Sequence, residues 1–142
     1  MRVRIASLFA LCLAVCFIAG AAAQTYNGLT FSVSAVERTS SAGLNDCPPG
    51  ANVVKATTKP GEELAVVMLN IKVGPDYKPG PLKRPVLTDE AGKTYNTAVS
   101  FVDVGSTPDF TCAIPFRVPA GTKLKSLQVE AVTIDLTKVP AK

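Results

Sequence analysis

Between residues 109 and 118 the chain places Phe110, Cys112, Ile114, Phe116 and Val118 at every second position, with Asp109, Thr111, Pro115 and Arg117 among their neighbours. A period of two puts all five apolar side chains on one face of an extended strand, and no helix brings them together. The same alternation appears in Leu29, Phe31, Val33 and Ala35 and again in Tyr95, Thr97, Val99 and Phe101. Residues 63–73, ELAVVMLNIKV, begin as a nearly continuous apolar run and end in alternation, the pattern of a central strand covered on one face and partly on the other. Short strands without helical spacing or internal repeats predict an all-β, antiparallel β-sandwich.

Two irregularities refine this expectation. Pro115 lies within the cleanest strand and cannot donate a ladder hydrogen bond, which predicts an edge strand or a bulge there. Leu127, Val129 and Ala131 give way to Val132, Ile134 and Leu136, a change of parity that predicts a bulge or a switch between sheets. Asp89-Glu90-Ala91-Gly92-Lys93 reads as a hairpin turn with Gly92 free to take a positive φ, and residues 119–122 read as another turn.

The amino terminus has a different character. Arg2 and Arg4 precede an apolar run over 5–18, followed by Gly20, Ala21, Ala22 and Ala23. This is the pattern of a secretory leader over residues 1–23, cleaved after Ala23 to give a single domain over 24–142 in the periplasm or outside the cell. Lipid anchoring at Cys16 is the less favoured alternative, because Val15 is bulky where a small residue is needed and the apolar run continues past the cysteine. Without Arg2 and Arg4 the 15 basic residues fall to 13 against 11 acidic ones, so the net charge drops from +4 to about +2. With no basic stripe and no transmembrane segment in the mature chain, a nucleic-acid partner is not expected.

Cys12 and Cys16 leave with such a leader, so Cys47 and Cys112 remain as one expected disulfide, the alternative being two separate thiols. The chain has no histidine, which excludes Ser-His-Asp and Cys-His catalysis and the usual zinc ligand sets. Glu62-Glu63 and Asp89-Glu90 are adjacent acids, but neighbours on a strand point to opposite faces and do not form an acid-base pair for glycoside hydrolysis. Asp76, Asp89, Glu90, Asp103 and Asp109 lack the ordered spacing of a calcium loop. Neither a metal nor a cofactor is expected.

The succession Val66 to Asn70, Leu87 to Tyr95 and Phe116 to Pro119 resembles the secreted bacterial immunoglobulin-like domains of unknown function that are similar to the mycobacterial immunoprotective extracellular antigen. In that family an apolar run ending in Asn, a Leu-x-Asp-x-x-Gly-Lys-x-Tyr hairpin and a Phe-x-Val-Pro strand end follow in this order. The resemblance covers about two thirds of residues 24–142 and implies an immunoglobulin-like sandwich of about seven to eight short strands. It supplies no catalytic residues. This chain departs from the pattern in its proline-rich stretch between Asn70 and Leu87, and in placing Cys47 in what reads as a loop, SAGLNDCPPGAN.

That proline-rich stretch, VGPDYKPGPLKRP over 73–85, is expected to be stiff and unable to join a sheet. It would display Tyr77, Lys78, Lys83 and Arg84 either as part of a connector or as a contact loop. The function expected is that of an exported, non-catalytic domain that contacts an unknown protein or envelope ligand. A small extracytoplasmic hydrolase with an acidic or Ser-Lys site is the alternative.

Overall fold

A computed structural model describes residues 21–50, 54–100 and 108–142. The leader up to residue 20, with Cys16, lies outside the described residues, as do Phe101 and Asp103. Ten strands follow in order among the described residues: β1 (Gln24–Tyr26), β2 (Leu29–Thr39), β3 (Ser41–Leu44), β4 (Val54–Thr57), β5 (Glu62–Val73), β6 (Val86–Asp89), β7 (Thr94–Asn96), β8 (Asp109–Pro119), β9 (Leu124–Val129) and β10 (Val132–Asp135). No helix occurs among them.

The strands form two antiparallel sheets, β1-β2-β5-β8 and β10-β9-β6-β7, with β3 and β4 as a separate ribbon. Taking β2, β5, β6, β7, β8, β9 and β10 as A, B, C, C′, E, F and G gives A-B-E packed on G-F-C-C′, an immunoglobulin-like Greek key. The expected seven to eight strands account for this frame. The other three, β1 and the β3–β4 ribbon, are additions before and after A.

Inward rows run across the first sheet in register. Leu69 pairs with Val33 and Cys112, Ile71 with Phe31 and Phe110, and Val67 with Val36 and Ile114. With Leu87, Leu127, Val129 and Ile134 of the second sheet they make one buried apolar cluster. The alternation of β2 breaks at Ser34, which has no partner in β5: Val33 pairs with Leu69 and Ala35 with Met68. Val36, and not Ala35, therefore continues the inward row, a bulge that the simple alternation did not anticipate.

Pro115 does lie on an edge strand, since β8 is the last strand of its sheet. In an antiparallel ladder the N–H and C=O of one residue point to the same side. The Pro115 carbonyl accepts a hydrogen bond from Thr97 Oγ1 at 2.9 Å, away from β5, so the donor that proline lacks would also have pointed out of the sheet. The ring costs the β5–β8 ladder nothing.

The parity change after Val129 is neither a bulge nor a sheet switch. Val129 pairs with Val132 across a two-residue turn at Glu130-Ala131, and cross-strand partners share a face. A spacing of three thus lies on one side of the sheet. The stretch read as a loop around Cys47 also contains structure: Ser41–Leu44 pairs with Val54–Thr57. The alternation from Tyr95 yields only the three-residue β7, because Thr97 Oγ1 turns to Pro115 and accepts the Val99 N–H at 3.2 Å, while Thr97 and Val99 stay buried.

Segment 45–48 runs beside the outer edge of β8, where the Cys47 N–H donates to the Ser100 carbonyl at 3.0 Å and Cys47 is bonded to Cys112. The bridge therefore closes the seam between β8 and the segment after β7. On the opposite side residues 140–142 bridge β2: the Val36 N–H donates to Pro140 O at 3.2 Å and the Lys142 N–H to Val36 O at 3.1 Å. Both open sides of the sandwich are covered by chain outside the two sheets.

Candidate functional site

The proline-rich stretch connects β5 to β6, strands B and C of the frame, and its course is fixed at three places. At its start the Gly74 N–H donates to the Gly28 carbonyl at 2.8 Å and the Tyr77 N–H to the Gly74 carbonyl at 3.2 Å. In its middle Tyr77 and Leu82 pack against the core. Near its end the Glu130 carboxylate accepts the Lys83 N–H, Arg84 Nη2 donates to Ser100 Oγ at 3.1 Å, and Pro85 is buried. Tyr77 is thus an inward anchor and is not displayed as the sequence reading had it. Lys78, Lys83 and Arg84 are exposed.

Two of these anchors were missed in the sequence. Asn27-Gly28 is a hairpin turn joining β1 and β2, with φ of 46° and 75°, and Asn-Gly is a strong signal for such a turn. Gly28 sits so close to the loop that a Cβ on it would lie 2.4 Å from Tyr77 N. Glu130, at φ 51°, carries no such signal, because a non-glycine residue in the left-handed region is uncommon.

The Asp89 to Tyr95 motif is a self-satisfied turn at the other end of β6. Asp89 Oδ1 accepts the Lys93 N–H at 2.8 Å and Asp89 Oδ2 accepts the Tyr95 hydroxyl at 2.9 Å. Gly92 takes φ 85° and its N–H donates to the Asp89 carbonyl at 3.0 Å, while the Lys93 ammonium lies 5.2 Å from the centre of the Tyr95 ring. Aspartate, glycine and tyrosine each serve the turn itself, and lysine contributes its backbone N–H and a contact over the Tyr95 ring.

Burial pushes the Asp89 carboxyl up, but hydrogen bonds from Lys93, Tyr95 and Ala91 outweigh it and hold the group below its ordinary value. Burial and the same bond to Asp89 push the Tyr95 phenol up. A carboxyl depressed in the folded state stabilises the fold above the unfolded value of about 3.9, and this is lost as the pH falls through the lower folded value. Asp89→Asn should therefore be less stable than the parent at pH 7, with the difference shrinking below about pH 4. Urea unfolding at a series of pH values measures this, and a constant difference across the acid range would refute it.

The remaining acids do not converge. Glu63 bonds Arg38 at 2.6 Å and Glu62 faces Arg117 at 3.6 Å, on opposite sides of β5. Asp76, Glu90 and Asp109 are exposed, and no group of three or more potential ligands is gathered for a metal among the described residues. No helix among the described residues is long and apolar enough to cross a membrane. The chain matches no family model, no curated protein and no solved structure.

Proposed function

We propose that this is an exported, non-catalytic immunoglobulin-like domain that contacts a protein or envelope ligand through the B–C loop, residues 74–85. The observation that carries this reading is the anchoring of the loop. Gly28, Tyr77 and Glu130 hold its backbone while Lys78 and Lys83 are exposed, as is Arg84 beside Ser100. An ordered loop loses little entropy on binding, and three cations favour an acidic partner. In variable immunoglobulin domains the B–C and F–G loops share the recognition end. Here Glu130 of the F–G turn bonds directly to the B–C loop.

Export is supported by the basic and apolar leader pattern and by a buried disulfide, which suits an oxidising compartment. Cleavage after Ala23 would leave Gln24, the first residue of β1, at the new amino terminus. Membership of the secreted family similar to the mycobacterial antigen is part of the same proposal. Its three motifs fall on β5, on the β6–β7 hairpin and on the end of β8.

The test is capture from the native envelope and medium with the domain 24–142, compared with Lys78→Glu/Lys83→Glu. The variant should keep the parent melting temperature and lose the captured partner. Equal capture by both would place the contact elsewhere on the domain.

A further inference from the structure

The β3–β4 ribbon lies against the outward face of the first sheet and leaves a groove beneath it. Leu44 and Ala56 of the ribbon face Leu64 and Pro115 of the sheet, with Asn96 and Arg117 also in its wall, around a volume of about 180 Å³. Leu64 and Pro115 are buried although they project away from the main core. An enclosed apolar cavity of about 150 Å³ accepts benzene; this space is comparable in volume but open on one side, so an apolar group of that size would sit in it with one face to solvent.

Arg117 adds a direction to the site. Its Nη2 donates to the Thr57 carbonyl at 2.7 Å and its Nε lies 3.6 Å from Glu62 Oε2, which fixes the guanidinium against the ribbon. Its Nη1 has no partner among the described residues. Glu62 is partly drawn off, since the same Oε2 accepts the Lys59 N–H at 3.2 Å. A planar guanidinium held by one edge, with donors left over beside an apolar hollow, matches a carboxylate on a compact apolar body.

We propose that this groove binds a small carboxylate with a benzene-sized apolar group, in a site distinct from the B–C loop. The carboxylate takes the free donor of Arg117 and the apolar group fills the space between Leu44, Ala56, Leu64 and Pro115. This occupant is favoured over a neutral or cationic one of the same shape by the charge at the rim.

Amide NMR titration of the domain 24–142 with benzoate, benzyl alcohol and benzylammonium tests the proposal. Benzoate should give saturable shifts at Ala56, Leu64 and Arg117, and benzylammonium should bind at least about tenfold more weakly, the effect of one charge-assisted hydrogen bond. Arg117→Gln should bring benzoate down to the level of benzyl alcohol. Should that change loosen the ribbon, Ala56→Leu fills the groove without touching the charge and should abolish all three titrations. Non-saturating benzoate shifts, equal binding of benzylammonium, or benzoate binding that survives Ala56→Leu would each overturn it.

Discussion

Removing the disulfide by replacing Cys47 and Cys112 with alanine should cost about 4 kcal/mol, the chain-entropy value for a bridge spanning 65 residues. Net stabilities of about 5–15 kcal/mol make this a large share of the total. Both cysteines are buried, at 0% and 2% exposure, so the change also empties a part of the core. The structure specifies where the loss should appear first. Among the described residues the bridge and one backbone hydrogen bond, Cys47 N–H to Ser100 O, tie segment 45–48 beside β8, whereas β5 and β8 are paired along eleven positions from Glu62–Pro119 to Lys72–Asp109. Hydrogen exchange in the variant should therefore rise around Cys47 and in the β3–β4 ribbon at conditions where the β5–β8 ladder is still protected. Urea unfolding gives the magnitude. A loss below about 1 kcal/mol, or uniform exchange across both regions, would show that the seam is held by something other than the bridge.

What the sequence revealed follows from how local each signal is. The period of two in Phe110 to Val118 survives intact as the inward row of β8, because a strand packed on one face needs nothing beyond its own alternation. The run at 63–73 correctly marked β5 as central, since it is buried on both sides, by the core inward and outward at Leu64, which faces the ribbon, and at Val66. The ribbon itself was illegible. Ser41–Leu44 and Val54–Thr57 are short, small or polar, and none of them is fully buried, so their pairing depends on the partner strand and not on a pattern within either.

Parity was read correctly and misassigned at Val129 to Val132, because a two-residue hairpin and a bulge both displace the alternation by one. Only the pairing distinguishes them. At Ser34 the reverse occurred: an apolar Ala35 continued the count of two and concealed a real bulge, while Val36 took the inward place.

For the candidate site, composition located the loop but not its orientation. Prolines at 75, 79, 81 and 85 announced a stiff segment, and the cations in it are exposed as expected. Tyr77 looked like part of the same display because an aromatic among prolines has no local reason to turn inward. Its reason is distant in the chain: the β1–β2 turn lies against its backbone, 49 to 50 residues earlier in sequence at Asn27 and Gly28.

That contact makes Gly28→Ala more damaging than its positive φ alone would. The residue has φ 75°, a conformation that costs an L side chain about 1–2 kcal/mol. The new Cβ would also lie 2.4 Å from Tyr77 N, 2.6 Å from Tyr77 Cα and 2.8 Å from the Asp76 carbonyl carbon. All three are backbone atoms and cannot rotate away, so the loop or the β1–β2 turn must move, at a further overpacking cost of about 1–3 kcal/mol. Gly92 makes the control, since it has the same left-handed backbone at φ 85° and open space where its Cβ would stand. Gly92→Ala should therefore show the conformational cost alone, and the excess in Gly28→Ala measures the contact. The excess should come with release of Tyr77 from the core, seen as faster hydrogen exchange in residues 74–85, and with loss of partner capture. Equal stability losses in the two variants would mean that Gly28 serves only its own turn, and the B–C loop would then owe its order to Glu130 and the prolines.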